Sequence, residues 1–328
     1  MAGQRQRRDG GPATDVRDLI RRVRRIELAT RRAVEDRLSG QYHSVFKGRG
    51  MEFAEVRPYA PGDDVRAIDW NVTARTGQLH VKRFVEEREL TVMLLCDLSG
   101  SVDFGSGGRT KGEVAAEIAA LVAMSAVANG DRVGLLLFTD AVERFVPPRK
   151  GRRHALRLVS EILRFRPAGR RTDLGAALEF LRRALRRRAV AFVLSDFRET
   201  EALTGARRRE PPRAAEQGEA PRFKRALELA ARTHDVVPIR IRDRLEAELP
   251  PLGVAWLEDP ETGAAVRVDL SDRRVRARFR AAVEDEDARL RSLFARLELD
   301  AAEVRADDAG YAGALVAFFK ARARRLRT

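Results

Sequence analysis

The chain has 328 residues, of which 44% are hydrophobic and 34% charged, and its formal net charge is +15. This length indicates one large domain with an appendage, and the hydrophobic fraction is enough for a sizeable core. The sequence lacks an apolar run of about 18 residues, and its basic N-terminus lacks the apolar segment of a secretory signal peptide. We therefore expect neither a transmembrane helix nor a leader, and we expect a cytoplasmic location.

The net charge raises the question of nucleic-acid binding, which a basic surface favours. Only six of the 64 basic residues are lysines, however, and helices such as LRRALRRRA combine arginine with alanine. This bias is as typical of a GC-rich genome as of selection for phosphate contacts. Aromatic residues make up only 6% of the chain and do not alternate with basic ones as base-stacking surfaces require. We therefore expect protein partners rather than nucleic acid.

The N-terminal part of the chain is predicted to contain a tail, a helix and a small layer. Residues 1–13 are polar, charged and glycine-containing, which predicts disorder. Apolar residues then recur at helical spacing to about residue 38, where Ser39-Gly40 ends the helix. Residues 40–88 are rich in Gly, Pro, Asp and aromatic residues, and their short alternating stretches predict small strands or an irregular layer. Residues 14–88 therefore form one predicted segment.

From residue 89 to residue 328, apolar strands alternate with amphipathic helices. The predicted strands cover residues 90–96, 132–138, 141–146, 189–194 and 236–241. The predicted helices cover residues 111–128, 153–164, 174–187, 223–233, 272–297 and 311–325. Strands that are apolar throughout and alternate with helices form a parallel sheet covered on both faces. The sequence therefore predicts an α/β fold with a doubly wound, mostly parallel sheet, a surface loop at 206–221 and a hairpin at 253–269.

Polar residues near the predicted strand ends are candidates for a binding site, because ligands of doubly wound sheets bind beyond the carboxyl ends of the strands. Asp97, Ser99 and Ser101 follow the first strand, Asp196 follows a later one, and Thr172 precedes a helix. Carboxylates and hydroxyls are hard oxygen ligands, which Mg²⁺ or Mn²⁺ prefers and Ca²⁺ also accepts. So few negative charges would leave the ion electropositive and ready for a carboxylate from a partner. The alternative is that these residues only cap the helices that follow them.

The order and spacing of these five residues resemble the metal-ion-dependent adhesion site (MIDAS) of von Willebrand factor A domains. The resemblance implies a von Willebrand factor A-like domain over residues 89–328. It also implies that the hydroxyls of Ser99, Ser101 and Thr172 ligate the ion directly, whereas Asp97 and Asp196 act mainly through water molecules.

A second resemblance, which spans residues 40–328, is to a more specific family. The chain resembles the family of unknown function numbered 58 in the motifs GRGMEF at 48–53, RPYAPGDDVR at 57–66, IDW at 68–70, AR at 74–75 and DPETG at 259–263. Members of that family combine such a segment with a von Willebrand factor A-like domain. What is known of the family implies pairing with MoxR-type AAA+ ATPases in chaperone-like or maturation systems.

Charged and aromatic residues of the upstream segment are candidates for docking a partner. They are Arg57, Asp63, Asp64, Arg66, Asp69, Trp70 and Arg75. The alternative is an internal salt-bridge network that fixes an irregular layer onto the α/β domain, with Trp70 as a packing anchor.

These observations predict a non-enzymatic, divalent-metal-dependent protein-binding module, with a MoxR-type AAA+ ATPase or an acidic client as its partner. One alternative is an Mg²⁺-dependent phosphotransferase of haloacid-dehalogenase-like layout. That class needs a second aspartate two residues after the first, where Ser99 stands, and no lysine lies near residues 172–196 to balance a phosphate. The other alternative is a basic nucleic-acid-binding protein, whose affinity would fall steeply with salt and would not depend on Mg²⁺.

Overall fold

The computed structural model of the protein describes Arg21, Arg24 and residues 50–87, 89–198, 219–308 and 310–325. The chain divides into two compact units, Phe46–Leu90 and a larger one whose described residues are Arg21, Arg24 and those from Thr91 onward. Three predictions fall wholly or mostly outside the described residues: the disordered tail 1–13, residues 206–218 of the surface loop, and most of the N-terminal helix. Within that helix, Arg21 and Arg24 are described and are helical, as predicted.

The smaller unit is built on one antiparallel pair of strands, β1 (Gly50–Pro58) and β2 (His80–Glu87). The connection between them contains the short helix α1 (Trp70–Thr76), which Asp69 caps with its carboxylate. Gly77 ends this helix in the left-handed conformation, with a φ of 73° that glycine adopts without steric cost. The predicted small strands are therefore present and longer than expected, whereas α1 was not predicted.

The larger unit contains a six-stranded sheet. Its strands are β3 (Thr91–Asp97), β4 (Arg132–Phe138), β5 (Val142–Arg149), β6 (Val190–Ser195), β7 (Asp235–Arg242) and β10 (Ala302–Arg305). They lie in the order β10-β7-β6-β3-β4-β5, and every pairing is parallel except that between β4 and β5. The predicted α/β fold with a doubly wound, mostly parallel sheet is confirmed.

Apolar side chains on both faces of the central strands are buried against helices. In β3, Met93 and Leu95 pack in one cluster with residues of three helices, while Leu94 and Cys96 on the opposite face are equally buried. The helices of the larger unit are α2 (Lys111–Ala128), α3 (Arg152–Arg164), α4 (Leu174–Ala184), α5 (Glu219–Thr233), α6 (Arg273–Arg296) and α7 (Tyr311–Arg325). Two-sided burial explains why β3, β4 and β6 are apolar almost throughout.

Three local features differ from the sequence prediction or add to it. Helix α5 begins at Glu219, so residues 219–221 of the predicted surface loop are helical; Pro221 is tolerated there because first-turn N–H groups need no partner within the helix. Strand β10 was not predicted, because four residues of alternating burial are too short a pattern. The predicted hairpin is present as β8 (Val254–Glu258) and β9 (Ala265–Asp269), a separate two-stranded sheet.

Among the described residues, no helix has the length and apolar character needed to cross a membrane.

Candidate metal site

Two aspartates lie at the carboxyl edge of the central sheet, at the ends of neighbouring parallel strands. Asp97 is the last residue of β3, and Asp196 directly follows β6, which pairs with β3. Asp97 is only 2% exposed and Asp196 only 5%. The sheet topology thus brings together two side chains that are about a hundred residues apart in the sequence, as the strand-end argument predicted.

The carboxylate of Asp97 is held by neutral donors. Its Oδ1 accepts a hydrogen bond from the backbone N–H of Ser99 at 2.9 Å, and its Oδ2 accepts one from the Ser195 hydroxyl at 2.6 Å. Burial, and then the negative charge of Asp196, raise the pKa of Asp97 to about 6, although these hydrogen bonds oppose the shift. Within the described part of the chain, the ionised form of Asp97 therefore lacks a compensating positive charge.

Asp196, in contrast, is paired with a buried lysine that the sequence reasoning did not assign to the site. The Nζ of Lys111, at the start of α2, lies 2.6 Å from Asp196 Oδ2 and 2.6 Å from Glu246 Oε1. Burial acts to raise the pKa of Asp196, but the Lys111 ammonium outweighs it and holds that pKa below its ordinary value. One signal was available: Lys111 falls on the same helical stripe as the buried residues Val114 and Ala115.

The hydroxyls of Ser99 and Ser101 point at each other, with their Oγ atoms 3.1 Å apart. Adjacent ligands of an octahedral Mg²⁺ ion, each about 2.1 Å from the metal, are about 3.0 Å apart. The two hydroxyls therefore have the separation of neighbouring ligands. Ser101 also hydrogen-bonds the Asp196 carboxylate and helps to lower its pKa, so these groups form one cluster.

The alternative role of these loops as helix caps holds for Asp173, the neighbour of Thr172, but the side chains of Ser99 and Thr172 make no capping hydrogen bond of this kind. Ser99 precedes the 3-10 turn Gly100–Asp103 but makes no side-chain capping hydrogen bond. Helix α4 is capped by Asp173, whose carboxylate accepts from the N–H of Ala176, so Thr172 is not its cap.

Thr172 belongs to a neighbouring loop that contacts the Ser99–Ser101 loop through its backbone. The N–H of Gly100 donates to the carbonyl of Arg170 at 2.8 Å. The Thr172 hydroxyl itself donates to Glu261 Oε1 at 2.9 Å. The structure thus brings the Thr172 loop to the cluster, and it adds Glu261, whose only signal in the sequence was its place in a family motif.

A small cavity of about 10 Å³ adjoins the carboxylates, which is room for about one water molecule. Its polar lining consists of Asp97, Ser101, Lys111, Ser195 and Asp196. The donor set is carboxylate and hydroxyl oxygen, which suits a small hard cation. The carboxylates of Asp97 and Asp196 are both buried here, and Asp196 is paired with the Lys111 ammonium at 2.6 Å.

The candidate docking residues of the smaller unit make their ion pairs and capping hydrogen bonds mainly within their own segment. Arg57 forms a bidentate ion pair with Asp63 at 2.6 and 2.8 Å, which lowers the pKa of Asp63. Asp64 and Asp69 cap the turn and the helix that follow them. Trp70 is 65% exposed. The remaining two candidates, Arg66 and Arg75, are also exposed.

Comparisons with known proteins cover most of the chain. The model of the family described as "Protein of unknown function DUF58" matches residues 55–289. The uncharacterized protein Rv1480 of Mycobacterium tuberculosis is 36% identical over 243 residues, which are 74% of this chain and 70% of the relative.

Two solved structures are similar at lower identity. The conserved hypothetical protein BatB from Bacteroides thetaiotaomicron aligns with a TM-score of 0.43 and 15% identity over 72% of this chain and 99% of its own. The SpRpn10 VWA domain aligns with a TM-score of 0.30 and 14% identity over 47% of this chain and 75% of its own.

Proposed function

The chain belongs to the DUF58 family of proteins of unknown function, and from that premise we propose that it is a protein-binding module whose binding depends on a divalent metal ion. The observation that carries the proposal is the pair of buried carboxylates, Asp97 and Asp196, beside the hydroxyls of Ser99 and Ser101. Asp97, Ser99, Ser101, Thr172 and Asp196 would hold the ion, with Mg²⁺ as the first choice and Mn²⁺ or Ca²⁺ as substitutes.

Charge balance supports a cation at these strand ends. Burying like-charged carboxylates is unfavourable unless positive charge compensates them. Lys111 contributes one such charge and shares it between Asp196 and Glu246, which leaves Asp97 uncompensated among the described residues. A bound divalent ion would supply the missing charge and an electropositive coordination position for a carboxylate of the partner.

Binding rather than phosphoryl transfer is supported by two features of the site. The residue two positions after Asp97 is Ser99, so the general acid that a haloacid-dehalogenase-like phosphotransferase needs is absent from that position. The Nζ of Lys111 lies between the carboxylates of Asp196 and Glu246, so its charge is already paired and is not presented to a phosphate.

Metal binding is tested by isothermal titration of Mg²⁺ into the wild type, Asp97→Asn and Asp103→Asn. Asp103 is the matched control, because it lies on the same loop and is exposed. We expect Asp103→Asn to bind Mg²⁺ like the wild type, and Asp97→Asn to lose about tenfold or more in affinity. Equal affinities in the two variants would contradict the proposed site.

The partner we propose is an acidic surface of a MoxR-type AAA+ ATPase, which the family resemblance supports. An ATPase itself needs Mg²⁺ for its nucleotide, so chelation cannot separate the two requirements. The test is therefore capture of the purified ATPase at constant Mg²⁺ by Asp97→Asn and by Asp103→Asn. Capture that is lost only in Asp97→Asn supports the proposal, whereas equal capture contradicts it.

The alternative function is that of a basic nucleic-acid-binding protein. Binding to nucleic acid that weakens as the salt concentration rises and does not depend on Mg²⁺ would favour it.

A further inference from the structure

Glu261 stands out in the β8–β9 hairpin as a buried charge. The hairpin strands are largely exposed, yet the Glu261 residue at their turn is only 9% exposed. Burial of a carboxylate is unfavourable unless the surrounding groups favour it. Glu261 contacts Thr172, which lies 89 residues away in the sequence, so the fold of the chain brings these two side chains together.

The turn that carries Glu261 is built to hold that side chain in place. Asp259 Oδ1 accepts hydrogen bonds from the backbone N–H groups of Glu261 and Thr262, and its Oδ2 accepts one from the Thr262 hydroxyl. Gly263 continues the turn at a φ of 69°. Glu261 therefore projects from a preorganised turn and not from a free loop.

The same turn is packed directly on the loop of the candidate metal site. A Cβ atom added to Gly100 would lie 2.2 Å from the carbonyl oxygen of Pro260. Gly100 stands between the two hydroxyls of Ser99 and Ser101, and Pro260 precedes Glu261. The backbone contact thus sets Glu261 next to the serine loop without any intervening residue.

The oxygen–oxygen distance between Thr172 and Glu261 is similar to that between the two serines. Glu261 Oε1 lies 2.9 Å from Thr172 Oγ1, and the Oγ atoms of Ser99 and Ser101 are 3.1 Å apart. Both separations are close to the edge of about 3.0 Å between adjacent ligands of an octahedral Mg²⁺ ion. The separation is that of an ordinary hydrogen bond, and it would also allow the Glu261 carboxylate and the Thr172 hydroxyl to be adjacent ligands of one ion.

We propose that Glu261 fills, within the same chain, the carboxylate position that a partner would otherwise occupy at the metal, so that the β8–β9 hairpin must withdraw before an acidic partner can bind. This inference rests on the proposed function. An intramolecular carboxylate competes at an effective concentration on the order of millimolar. The hairpin would thus prevent weak, non-specific carboxylates from binding the metal ion. A partner that also displaces the turn would still be able to bind.

The experiment compares Glu261→Gln with Glu258→Gln, an exposed residue of the same hairpin. Glutamine keeps the size of Glu261 and can still accept the hydrogen bond from Thr172, so the fold is expected to persist; thermal unfolding checks this. Each protein is loaded with Mn²⁺, and water-proton relaxation measures how many water molecules the ion binds. Acetate is then titrated in as the carboxylate probe.

We expect Glu261→Gln to bind Mn²⁺ about tenfold more weakly, to gain one metal-bound water, and to lose that water on addition of acetate. Wild type and Glu258→Gln are expected to respond to acetate several-fold more weakly. If Glu261→Gln and Glu258→Gln have the same number of metal-bound water molecules and the same response to acetate, the inference about the hairpin is overturned. The proposed function is still supported in that case if Asp97→Asn loses Mn²⁺ binding. Wild type that does not bind Mn²⁺ overturns both.

Discussion

Asp97 and Asp196 end neighbouring strands of the sheet, and their pKa values are shifted in opposite directions. That of Asp97 is raised to about 6 by burial and by the charge of Asp196, whereas that of Asp196 is lowered despite burial. The difference comes from Lys111, whose Nζ contacts Asp196 at 2.6 Å, while Asp97 accepts hydrogen bonds from a hydroxyl and a backbone amide. Within this pair, Asp97 is the carboxylate that lacks a cation.

The contribution of Asp97 to the stability of the metal-free protein is expected to fall as the pH rises from about 4 through about 6. The pKa of Asp97 is higher in the folded chain than in the unfolded one, so the contribution of this group is fully present below about pH 4 and is lost as the pH passes its folded value. The loss is about 1–3 kcal/mol. Urea unfolding with a chelator at pH 5 and pH 7.5 measures it.

The variant Asp97→Asn supplies the control for that pH dependence. An amide cannot ionise, so the fall between pH 5 and pH 7.5 is expected to shrink, and at pH 7.5 without metal the variant is expected to equal or exceed the wild type in stability. Addition of Mg²⁺ is expected to reverse the order, because only the wild type gains from binding. A larger fall in Asp97→Asn than in the wild type would contradict the assignment.

Replacing Lys111 with methionine is expected to destabilise the larger unit by about 3–5 kcal/mol, because it leaves the buried carboxylate of Asp196 and the partly buried carboxylate of Glu246 without their shared cation. Lys224→Met, on the exposed face of α5, is the matched control and is expected to change the free energy of unfolding by less than about 0.5 kcal/mol. Urea unfolding compares the two. Mg²⁺ is expected to recover part of the loss in Lys111→Met, and similar effects of both substitutions would contradict the role of the buried ion trio.

The sequence predicted the strands and helices of the larger unit well. It predicted the residues around the candidate metal site less well. Continuous apolar runs revealed β3 and β6, and the strand-end rule then selected Asp97 and Asp196 correctly as neighbours. The residues that complete the cluster had weak local signals. Lys111 lies at a helix start, and Glu261 meets Thr172 across 89 residues through a separate hairpin. Such contacts depend on how loops pack, and no spacing within a single segment encodes them.

Gly100→Ala is expected to destabilise the protein by about 1–3 kcal/mol, because the new Cβ atom would overlap the backbone carbonyl of Pro260, which cannot move away as a flexible side chain would. Gly313→Ala, in helix α7, is the control: among the described residues, no atom beyond its own helix backbone and chain neighbours lies within 4 Å of where the new Cβ would stand. There alanine is expected to stabilise by about 0.5–1 kcal/mol. Thermal unfolding that shows no difference in sign would contradict the close packing of the hairpin turn on the serine loop.

Asp287 attaches α6 to strand β7 through two ion pairs, with Arg240 and Arg242 at 2.7 Å each. Its side chain is almost fully buried, so Asp287→Asn leaves buried guanidinium charge without its carboxylate and is expected to cost about 3–5 kcal/mol. Asp285 lies two residues earlier on the same helix and pairs with Arg289 on the surface. Since exposed pairs contribute little, Asp285→Asn is expected to cost at most about 0.5 kcal/mol. Urea unfolding of the two variants measures the difference, and equal costs would show that α6 is held by its apolar contacts alone.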